Sequence, residues 1–438
     1  MDTPKVGMVS LGCPKALVDT ERLLTTLIGR GYTIVPDYAQ ADVVLVNTCG
    51  FIEAAETESL EAIEEALNAN GRVIVTGCLG SRAAVIQARF PEVLAVTGPQ
   101  APEAVLAAVE AAQPVSPAAC APTLPPQGVR LTPAHYAYLK IAEGCDHRCS
   151  FCVIPQLRGR LISRPAAAVM QEAADLVAAG VRELLVIGQD TGVYGADLRH
   201  ATSLWQDRQL PARLDQLVVA LGELGVWVRL HYIYPHRHVD RLIPLMADGY
   251  VLPYLDMPLQ HASRHILQAM RRPAAMEATL ERLQAWRTRC PELVVRSTFI
   301  VGFPGETDAD FEQLLEFLEA AQLDRVGCFT YSEVTGAPAN AFADAVPPSE
   351  RQARHAELLE RQAQISRERL ARRVGTVTEV LVDAATPEHI MARSPVEAPE
   401  VDGVVWLPPI EGIAPGDMLE VRLTANDEHD LYAEPVLL

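Results

Sequence analysis

Three cysteines with the spacing CxxxCxxC carry the clearest chemistry in this chain. Cys145, Cys149 and Cys152 stand in the run GCDHRCSFC, just after a short apolar segment that predicts a strand. Structural zinc sites and iron–sulfur clusters that only transfer electrons use four protein ligands, whereas three thiolates on a four-iron cluster leave one iron open to a small molecule. The spacing therefore indicates a catalytic iron–sulfur site. The alternative is a zinc site completed by His147, but His147 lies inside the loop and no fourth cysteine follows nearby. We call the three residues the loop cysteine set.

Three further cysteines end predicted strands near the amino terminus. Cys13 closes VGMVSLGC, Cys49 closes VVLVNTC and Cys78 closes VIVTGC, and a helical pattern follows each of them. Strands joined by right-handed crossovers lie parallel, so their carboxyl ends share one edge of a sheet. We therefore expect this amino-terminal cysteine set to converge and to hold a second cluster with an open iron. The alternative is three buried core thiols. The remaining cysteines are assigned no chemistry: Cys120, Cys290 and Cys328.

Composition favours a soluble intracellular protein of several domains. The 438 residues are 49% hydrophobic and 21% charged, no apolar run is long enough to span a membrane, and no leader segment precedes the first strand. Cysteines grouped in threes, without a disulfide framework, fit a reducing cytoplasm. The net charge of −19 disfavours stable nucleic-acid binding and favours a basic partner.

The pattern of elements predicts an α/β chain with three domains. A parallel-sheet α/β domain is expected over residues 1–112, a proline-rich linker over 113–130, a partial (β/α) barrel of six strand–helix repeats over 131–368, and a small antiparallel β-barrel over 370–438. The last stretch has four arginines and no lysine against thirteen carboxylates, a net charge of −9. Such a barrel should repel phosphate.

Polar residues at the carboxyl ends of the partial-barrel strands are candidate cofactor or substrate contacts. They are Gln189 and Asp190 after the second strand, Arg229 and His231 in the third, Gln260 and His261 after the fourth, and Gly302 to Glu306 after the fifth. The histidines could instead be hydrogen-bonded structural residues. The run GFPGE could be a turn before a helix, although its amides could also hold a carboxylate. Arg158 and Arg160 could pair with a cofactor carboxylate or with an acidic neighbour.

The chain resembles the methylthiotransferases of the radical S-adenosylmethionine (SAM) superfamily over nearly all of its length. The strings that carry the resemblance are LGCPKALVDTE, NTCGFIEAAETES, EGCDHRCSFCVIPQLRGR, LHYIYPHRHVD, PYLDMPLQHAS and RSTFIVGFPGET. The resemblance implies a carboxyl-terminal TRAM domain, SAM, and two 4Fe-4S clusters. The loop cysteine set would hold the SAM cluster, and the amino-terminal set would hold an auxiliary cluster that carries the methylthio group. The expected SAM contacts are Gln189, Asp190, Arg229 and Glu306.

Within that family the strings are similar to the branch that methylthiolates the β-carbon of an aspartate in ribosomal protein S twelve, either free or in the small subunit. One departure is Ala16, where that branch commonly has asparagine. The resemblance also implies an electron donor of flavodoxin or ferredoxin type. Two alternatives remain open: a tRNA adenosine methylthiotransferase of the same family, and a non-catalytic iron–sulfur electron carrier or redox sensor.

Overall fold

The computed structural model describes residues 3–115, 124–273 and 276–436. The chain forms two compact units, each built from separated segments. The first unit comprises Met1–Thr132, Glu143–Ile162 and Ser332–Ala337. The second unit comprises Pro133–Ala142, Ser163–Tyr331 and Pro338–Leu438.

This division places both cysteine sets in the first unit, because the loop cysteines lie within Glu143–Ile162. The carboxyl-terminal strands share the second unit with the central sheet. The predicted domain boundaries at 1–112, 113–130, 131–368 and 370–438 stay predictions. Cys120, in the predicted linker, lies outside the described residues.

The first unit is built on a parallel five-stranded sheet in the order β2-β1-β3-β4-β5. Its strands are β1 (Lys5–Ser10), β2 (Thr33–Val35), β3 (Val43–Thr48), β4 (Val73–Gly77) and β5 (Ala95–Val96). Its first four helices are α1 (Pro14–Gly29), α2 (Glu53–Asn70), α3 (Ala83–Arg89) and α4 (Pro102–Ala112). Ser10 of β1 pairs with Asn47 of β3, and Thr48 of β3 pairs with Gly77 of β4. The carboxyl ends of these three strands are therefore level, and the predicted parallel α/β fold is confirmed.

Strand β3 lies at the centre of this sheet, which explains the apolar run of four residues with which it begins. Val43 and Leu45 pack into one apolar cluster, while Val44 and Val46 pack into another. All four side chains are fully buried. A strand covered on both faces has no solvent face for a polar residue, so the run carries no polar alternation.

A loop and a short helix, α5 (Ile154–Arg158), complete the part of the first unit that matters for chemistry. The loop cysteine set lies in the ten residues before this helix. Val153 and Leu157 pack with Cys78, Val334 and Ala337 in a small apolar cluster. Helix α5 is thereby fixed beside the end of β4.

The second unit contains a parallel six-stranded sheet in the order β15-β14-β13-β12-β9-β6, as the six predicted strand–helix repeats require. The strands of this sheet are β6 (Tyr136–Lys140), β9 (Glu183–Ile187), β12 (Trp227–Leu230), β13 (Tyr254–Asp256), β14 (Val294–Val301) and β15 (Arg325–Thr330). Four further strands form two separate pairs, β7 (Ala142–Glu143) with β8 (Ile162–Ser163) and β10 (Thr202–Trp205) with β11 (Arg208–Pro211). The short strands β7 and β8 stand where the chain passes from one unit to the other. Strands β10 and β11 form an antiparallel hairpin that the sequence pattern did not predict.

The helices of this unit are α6 (Ala166–Ala178), α7 (Leu214–Gly222), α8 (Leu242–Ala247), α9 (Arg264–Ala269), α10 (Met276–Arg289), α11 (Asp308–Ala321) and α12 (Pro348–Ala371). Helix α12 is the predicted linking helix and leads into a closed barrel in the order β16-β17-β18-β20-β19. The barrel strands are β16 (Val377–Ala385), β17 (Ile390–Arg393), β18 (Val405–Leu407), β19 (Met418–Asn426) and β20 (Leu431–Pro435). The predicted small barrel is therefore present, and its pairs are antiparallel as predicted except for β18 and β20, which run parallel.

A buried charge network links the sheet and the barrel inside the second unit. Glu183 of β9 accepts from Arg229 Nε at 2.7 Å and from Arg393 Nη1 at 2.5 Å. Arg393 also donates two bonds to Asp383, at 2.6 and 2.9 Å, and His135 Nε2 lies 2.8 Å from the same carboxylate. Glu183 and both arginines are essentially inaccessible to solvent. The barrel is thus joined to the sheet by charge as well as by apolar contact.

None of the helices in the described part of the chain is both long enough and apolar enough to cross a membrane.

Candidate metal centre

The amino-terminal cysteine set lies at the level carboxyl ends of three neighbouring strands. Cys13 is the residue that precedes α1, and Cys49 and Cys78 directly follow β3 and β4. The Cys78 amide donates to the carbonyl oxygen of Thr48 at 2.9 Å, which ties the Cys78 backbone to the residue before Cys49. A Cβ atom on Gly12 would lie 3.2 Å from Cys49 Sγ, and Gly12 has a φ of +98°. Only glycine therefore brings the chain past the Cys49 thiol to place Cys13 beside it.

The thiols of this set lie close enough to influence one another's ionisation. Burial opposes ionisation of Cys13, yet Lys15, the amide of Ala16 and Arg158 together lower its pKa. Burial raises the pKa of Cys49, and the neighbouring Cys13 adds to the increase. Ionisation is favoured at Cys13 and opposed at Cys49, and each further negative charge in this group needs a cation, which is what iron would supply.

Arg158, the last residue of α5, is a buried cation in contact with the amino-terminal cysteine set. Its side chain is 2% exposed, and its Nε donates to Cys78 Sγ at 3.2 Å. Its Nη1 lies 3.1 Å from carboxylate oxygens of both Glu143 and Asp19. Burial raises the pKa of Cys78 and Arg158 opposes that increase. These contacts match the predicted alternative in which Arg158 pairs with acidic neighbours.

One atom of Arg158 bears directly on whether a cluster fits this position. Nη2 is buried and has no hydrogen-bond partner in the described part of the chain. A buried donor without an acceptor is rare and points to a missing ligand, water or ion. Three thiols and an orphaned donor in one place fit a cluster whose sulfides accept that hydrogen.

The loop cysteine set is also arranged by backbone hydrogen bonds. The His147 amide donates to Cys145 Sγ at 3.4 Å, and the Ile154 amide donates to Cys152 Sγ at 3.5 Å. The Cys152 amide donates to the Cys149 carbonyl oxygen at 3.2 Å, which closes a turn between those two ligands. Amide donors directed at sulfur favour the thiolate form, as iron ligation requires.

The other cysteines in the described part of the chain belong to the second unit. Cys290 and Cys328 are both buried. Burial raises the pKa of Cys328 to about 12, so its thiol stays protonated at neutral pH. The absence of predicted chemistry at these two residues is consistent with that environment.

Gln189 and Asp190 follow β9, as predicted for cofactor contacts at a strand end. Asp190 is buried, and its Oδ1 accepts from the amides of Gly192 at 2.9 Å and Tyr234 at 3.3 Å. The carboxylate therefore shapes the turn after β9. A role of either residue in binding SAM stays a prediction.

Arg229 is held by groups of its own unit. Besides the bond to Glu183, its Nη1 donates to the carbonyl oxygen of Pro395 at 2.9 Å. Its guanidinium lies 4.7 Å from the ring centre of Tyr254. These contacts give Arg229 a structural role, and its predicted contact with SAM stays a prediction.

Glu306 ends the run GFPGE and is also enclosed by partners. Its carboxylate lies 3.2 Å from His261 Nε2, accepts from Arg354 Nη1 at 2.7 Å and accepts from the Gly302 amide at 2.9 Å. Burial opposes ionisation, but the hydrogen bond and charge of His261, together with hydrogen bonds from the Gly302 amide and Arg354, lower the pKa of Glu306. The amide of Gly302 is used within the turn, so the run behaves as the predicted alternative, a turn before α11.

His231 and Gln260 occupy the predicted strand ends. His231 Nδ1 lies 3.2 Å from Asp256 Oδ2, and Arg296 Nη1 donates to Asp256 Oδ1 at 3.1 Å. The pKa of Asp256 falls to about 2, because these partners and the Tyr232 amide outweigh burial. The pairing of His231 fits the structural alternative for the histidines.

Arg160 is exposed, and its Nε lies 3.2 Å from the carboxylate of Asp146, which matches the predicted alternative of an acidic neighbour.

Several partners of these groups were not anticipated from the sequence. Glu143 stands two residues before Cys145, so the sequence could have indicated that it lies near the candidate metal centre. Asp19, Asp256 and Arg354 carried no such signal, because each meets its partner from a distant segment.

Three sequence families match the chain. They are the Radical SAM superfamily over residues 139–318, the Uncharacterized protein family UPF0004 over residues 5–98, and the TRAM domain over residues 374–436. The superfamily match covers the loop cysteine set and most of the six-stranded sheet. Fold, cysteine spacing and the superfamily match together define a radical SAM enzyme, a class that uses SAM with a 4Fe-4S cluster.

Full-length relatives specify the family. The ribosomal protein uS12 methylthiotransferase RimO of Alkalilimnicola ehrlichii is 62% identical over 433 residues, which are 98% of each chain. The protein of the same name from Azoarcus sp. (strain BH72) is 58% identical over 436 residues, covering 100% of this chain and 98% of that one. The chain belongs to the RimO family of ribosomal protein uS12 methylthiotransferases.

Solved structures support the fold. A structure of the radical SAM methyltransferase TsrM from Kitasatospora setae, with cobalamin and a [4Fe-4S] cluster bound, has a TM-score of 0.55 at 14% identity. The alignment covers 95% of this chain and 84% of TsrM. At that identity the similarity concerns the architecture alone.

Proposed function

We propose that this chain adds a methylthio group to the β-carbon of an aspartate in ribosomal protein uS12. The observation that carries the proposal is the 62% identity to a uS12 methylthiotransferase over 98% of both chains. The β-carbon of aspartate has no proton acidic enough for a side-chain base to remove at neutral pH. A radical route that begins with hydrogen-atom abstraction is therefore required, and such chemistry belongs to the cofactor.

Two 4Fe-4S clusters are part of the proposal. The loop cysteine set would hold the SAM cluster, and the amino-terminal cysteine set would hold the auxiliary cluster. When bound, the first would supply the electron that cleaves SAM, and the second would supply the sulfur for transfer.

The chain's own residues would keep these groups in place. The amides of His147 and Ile154 donate to loop-set sulfurs, and Gly12 allows Cys13 and Cys49 to approach. Gln189 and Asp190 remain the proposed SAM contacts at the end of β9. The pairing of Arg229 and Glu306 with buried partners supports an indirect role for those two.

The acidic carboxyl-terminal barrel supports a basic protein partner. Its net charge of −9 over residues 370–438 is opposite to the charge expected for a protein that binds ribosomal RNA. Glu379 and Glu420 are both exposed and stand directly opposite each other on neighbouring strands. Like charges in that position cost stability, so their presence favours a role in docking uS12. We further propose a cytoplasmic location, an electron donor of flavodoxin or ferredoxin type, and no stable binding to nucleic acid.

Mass spectrometry of uS12 tests the substrate. We expect the protein from cells that contain this chain to carry one methylthio group on an aspartate, and uS12 from cells lacking the chain to carry none. Re-expression of the Cys149→Ala variant serves as the matched control and should not restore the group. Unmodified uS12 together with a methylthiolated tRNA adenosine would refute the proposal in favour of the tRNA-modifying relatives.

A further inference from the structure

We propose that Arg158 is a positioning residue that holds the auxiliary cluster by donating N–H bonds to its sulfur atoms. The inference rests on the proposed function, since the cluster at the amino-terminal cysteine set belongs to that proposal. The proposed role uses guanidinium donors that the ion pairs with Glu143 and Asp19 leave available.

The nitrogen atoms of the guanidinium make two different kinds of contact, one to carboxylates and one to sulfur. Nη1 makes contacts of 3.1 Å to both Glu143 and Asp19, whereas Nε donates to Cys78 Sγ at 3.2 Å. Nε and Nη2 form one edge of the planar guanidinium, and their hydrogens on that edge point the same way. Nη2 is buried without a partner in the described residues, so this donor lies alongside the bond to Cys78. The edge is therefore directed at sulfur, and one of its two donors still lacks an acceptor.

The rest of the residue is fixed rather than adaptable. The carbonyl oxygen of Arg158 accepts from Gln100 Nε2, and the carbonyl oxygen of Leu157 accepts from Ser81 Oγ at 3.1 Å. Leu157 packs in the same apolar cluster as Cys78. A donor held this firmly by its backbone and by two carboxylates can set the position and electronic environment of a cluster.

Hydrogen bonds to cluster sulfur stabilise the reduced, more negative state and so raise the reduction potential. The two carboxylates beside Arg158 offset its charge, so the effect comes from directed donors more than from net charge. Loss of the donors should therefore make the auxiliary cluster harder to reduce. Loss of a nearby exposed cation should leave the reduction potential of the cluster unchanged.

The test isolates the auxiliary cluster in the full chain with all three loop-set cysteines changed to alanine. After anaerobic reconstitution this parent protein should bind about four irons. Redox titration followed by electron paramagnetic resonance would compare the parent with Arg158→Gln and with the control Arg160→Gln, whose arginine is 87% exposed and paired with Asp146. We expect Arg158→Gln to lower the equilibrium constant for one-electron reduction about tenfold, a shift of about 59 mV to more negative potential. Arg160→Gln should match the parent.

A second readout is needed in case Arg158→Gln fails to fold once Glu143 and Asp19 lose their bonds to the guanidinium. Arg158→Lys keeps a cation for Glu143 and Asp19 but removes the guanidinium edge. Pulsed electron paramagnetic resonance of protein labelled with ¹⁵N-arginine should detect nitrogen coupling to the reduced cluster in the parent and in Arg160→Lys. The coupling should vanish in Arg158→Lys.

The outcomes separate this inference from the proposed function. A parent protein that binds no iron would overturn both. Iron binding with an unchanged potential in Arg158→Gln, or with nitrogen coupling that persists in Arg158→Lys, would overturn the role of Arg158 alone.

Discussion

Replacing Glu183 by glutamine should destabilise the second unit strongly, because this one carboxylate neutralises two buried arginines. Arg229 Nε lies 2.7 Å from one carboxylate oxygen and Arg393 Nη1 lies 2.5 Å from the other. Burial opposes ionisation of Glu183, yet the two arginines lower its pKa. Removing one member of a buried ionic group leaves charge without compensation, at a cost of about 3–5 kcal/mol.

Equilibrium unfolding in urea, followed by hydrogen exchange of the β9 and barrel amides, would measure this loss. The matched control is Glu223→Gln, since Glu223 pairs with Arg208 at 2.6 Å on the surface, where both side chains are more than 40% exposed. That change should cost under about 1 kcal/mol. Combining Glu183→Gln with Arg393→Met should cost less than the sum of the two single changes, because the second removes part of the uncompensated charge. A loss in Glu183→Gln no larger than in the surface control would refute the reasoning.

Three further outcomes are expected. Changing the amino-terminal cysteine set to alanine should leave reductive cleavage of SAM to 5'-deoxyadenosine intact but abolish formation of methylthiolated uS12 and of S-adenosylhomocysteine. Chromatography with mass detection of all three compounds would measure this. A parallel fall in every activity would instead indicate lost core packing. Asp256→Asn should flatten the acid limb of the curve of unfolding free energy against pH. The pKa of Asp256 is lowered from 3.8 to about 2, so its contribution to stability, about 2 kcal/mol, is complete above about pH 4 and is lost as the pH falls toward 2. Reversing Glu379 and Glu420 to lysine should slow association with uS12 about tenfold at low salt and have little effect at high salt, as stopped-flow binding would measure; an effect independent of salt would contradict electrostatic docking.

Much of the fold and the convergence of the amino-terminal cysteine set could be predicted from local sequence. The runs ending at Cys13, Cys49 and Cys78 are short, apolar and β-branched, and parallel topology places their ends together without further information. The CxxxCxxC loop needs only its own spacing. Short elements were less visible: β17 and β20 have four and five residues, and the hairpin of β10 and β11 carries mixed polarity.

The roles of buried polar residues could not be predicted, because they depend on partners far along the chain. The position of Arg229 in a strand predicts a cofactor contact, but it does not reveal the bond to the carbonyl oxygen of Pro395, which lies 166 residues away. Arg158 meets Cys78 across 80 residues and Asp19 across 139. Spacing along the sequence carries no information on such pairs until the fold is known.

The segmented first unit restricts how this enzyme architecture can be rearranged in evolution. Residues 143–162 carry the loop cysteine set, yet they fold with the amino-terminal sheet. A fragment starting at residue 133 would retain all three ligands but lose Ser81, Gln100 and Cys78, which contact Leu157 and Arg158. The radical SAM portion is therefore not a self-contained module, and grafting a different amino-terminal domain onto it would require α5 and its neighbours to change together.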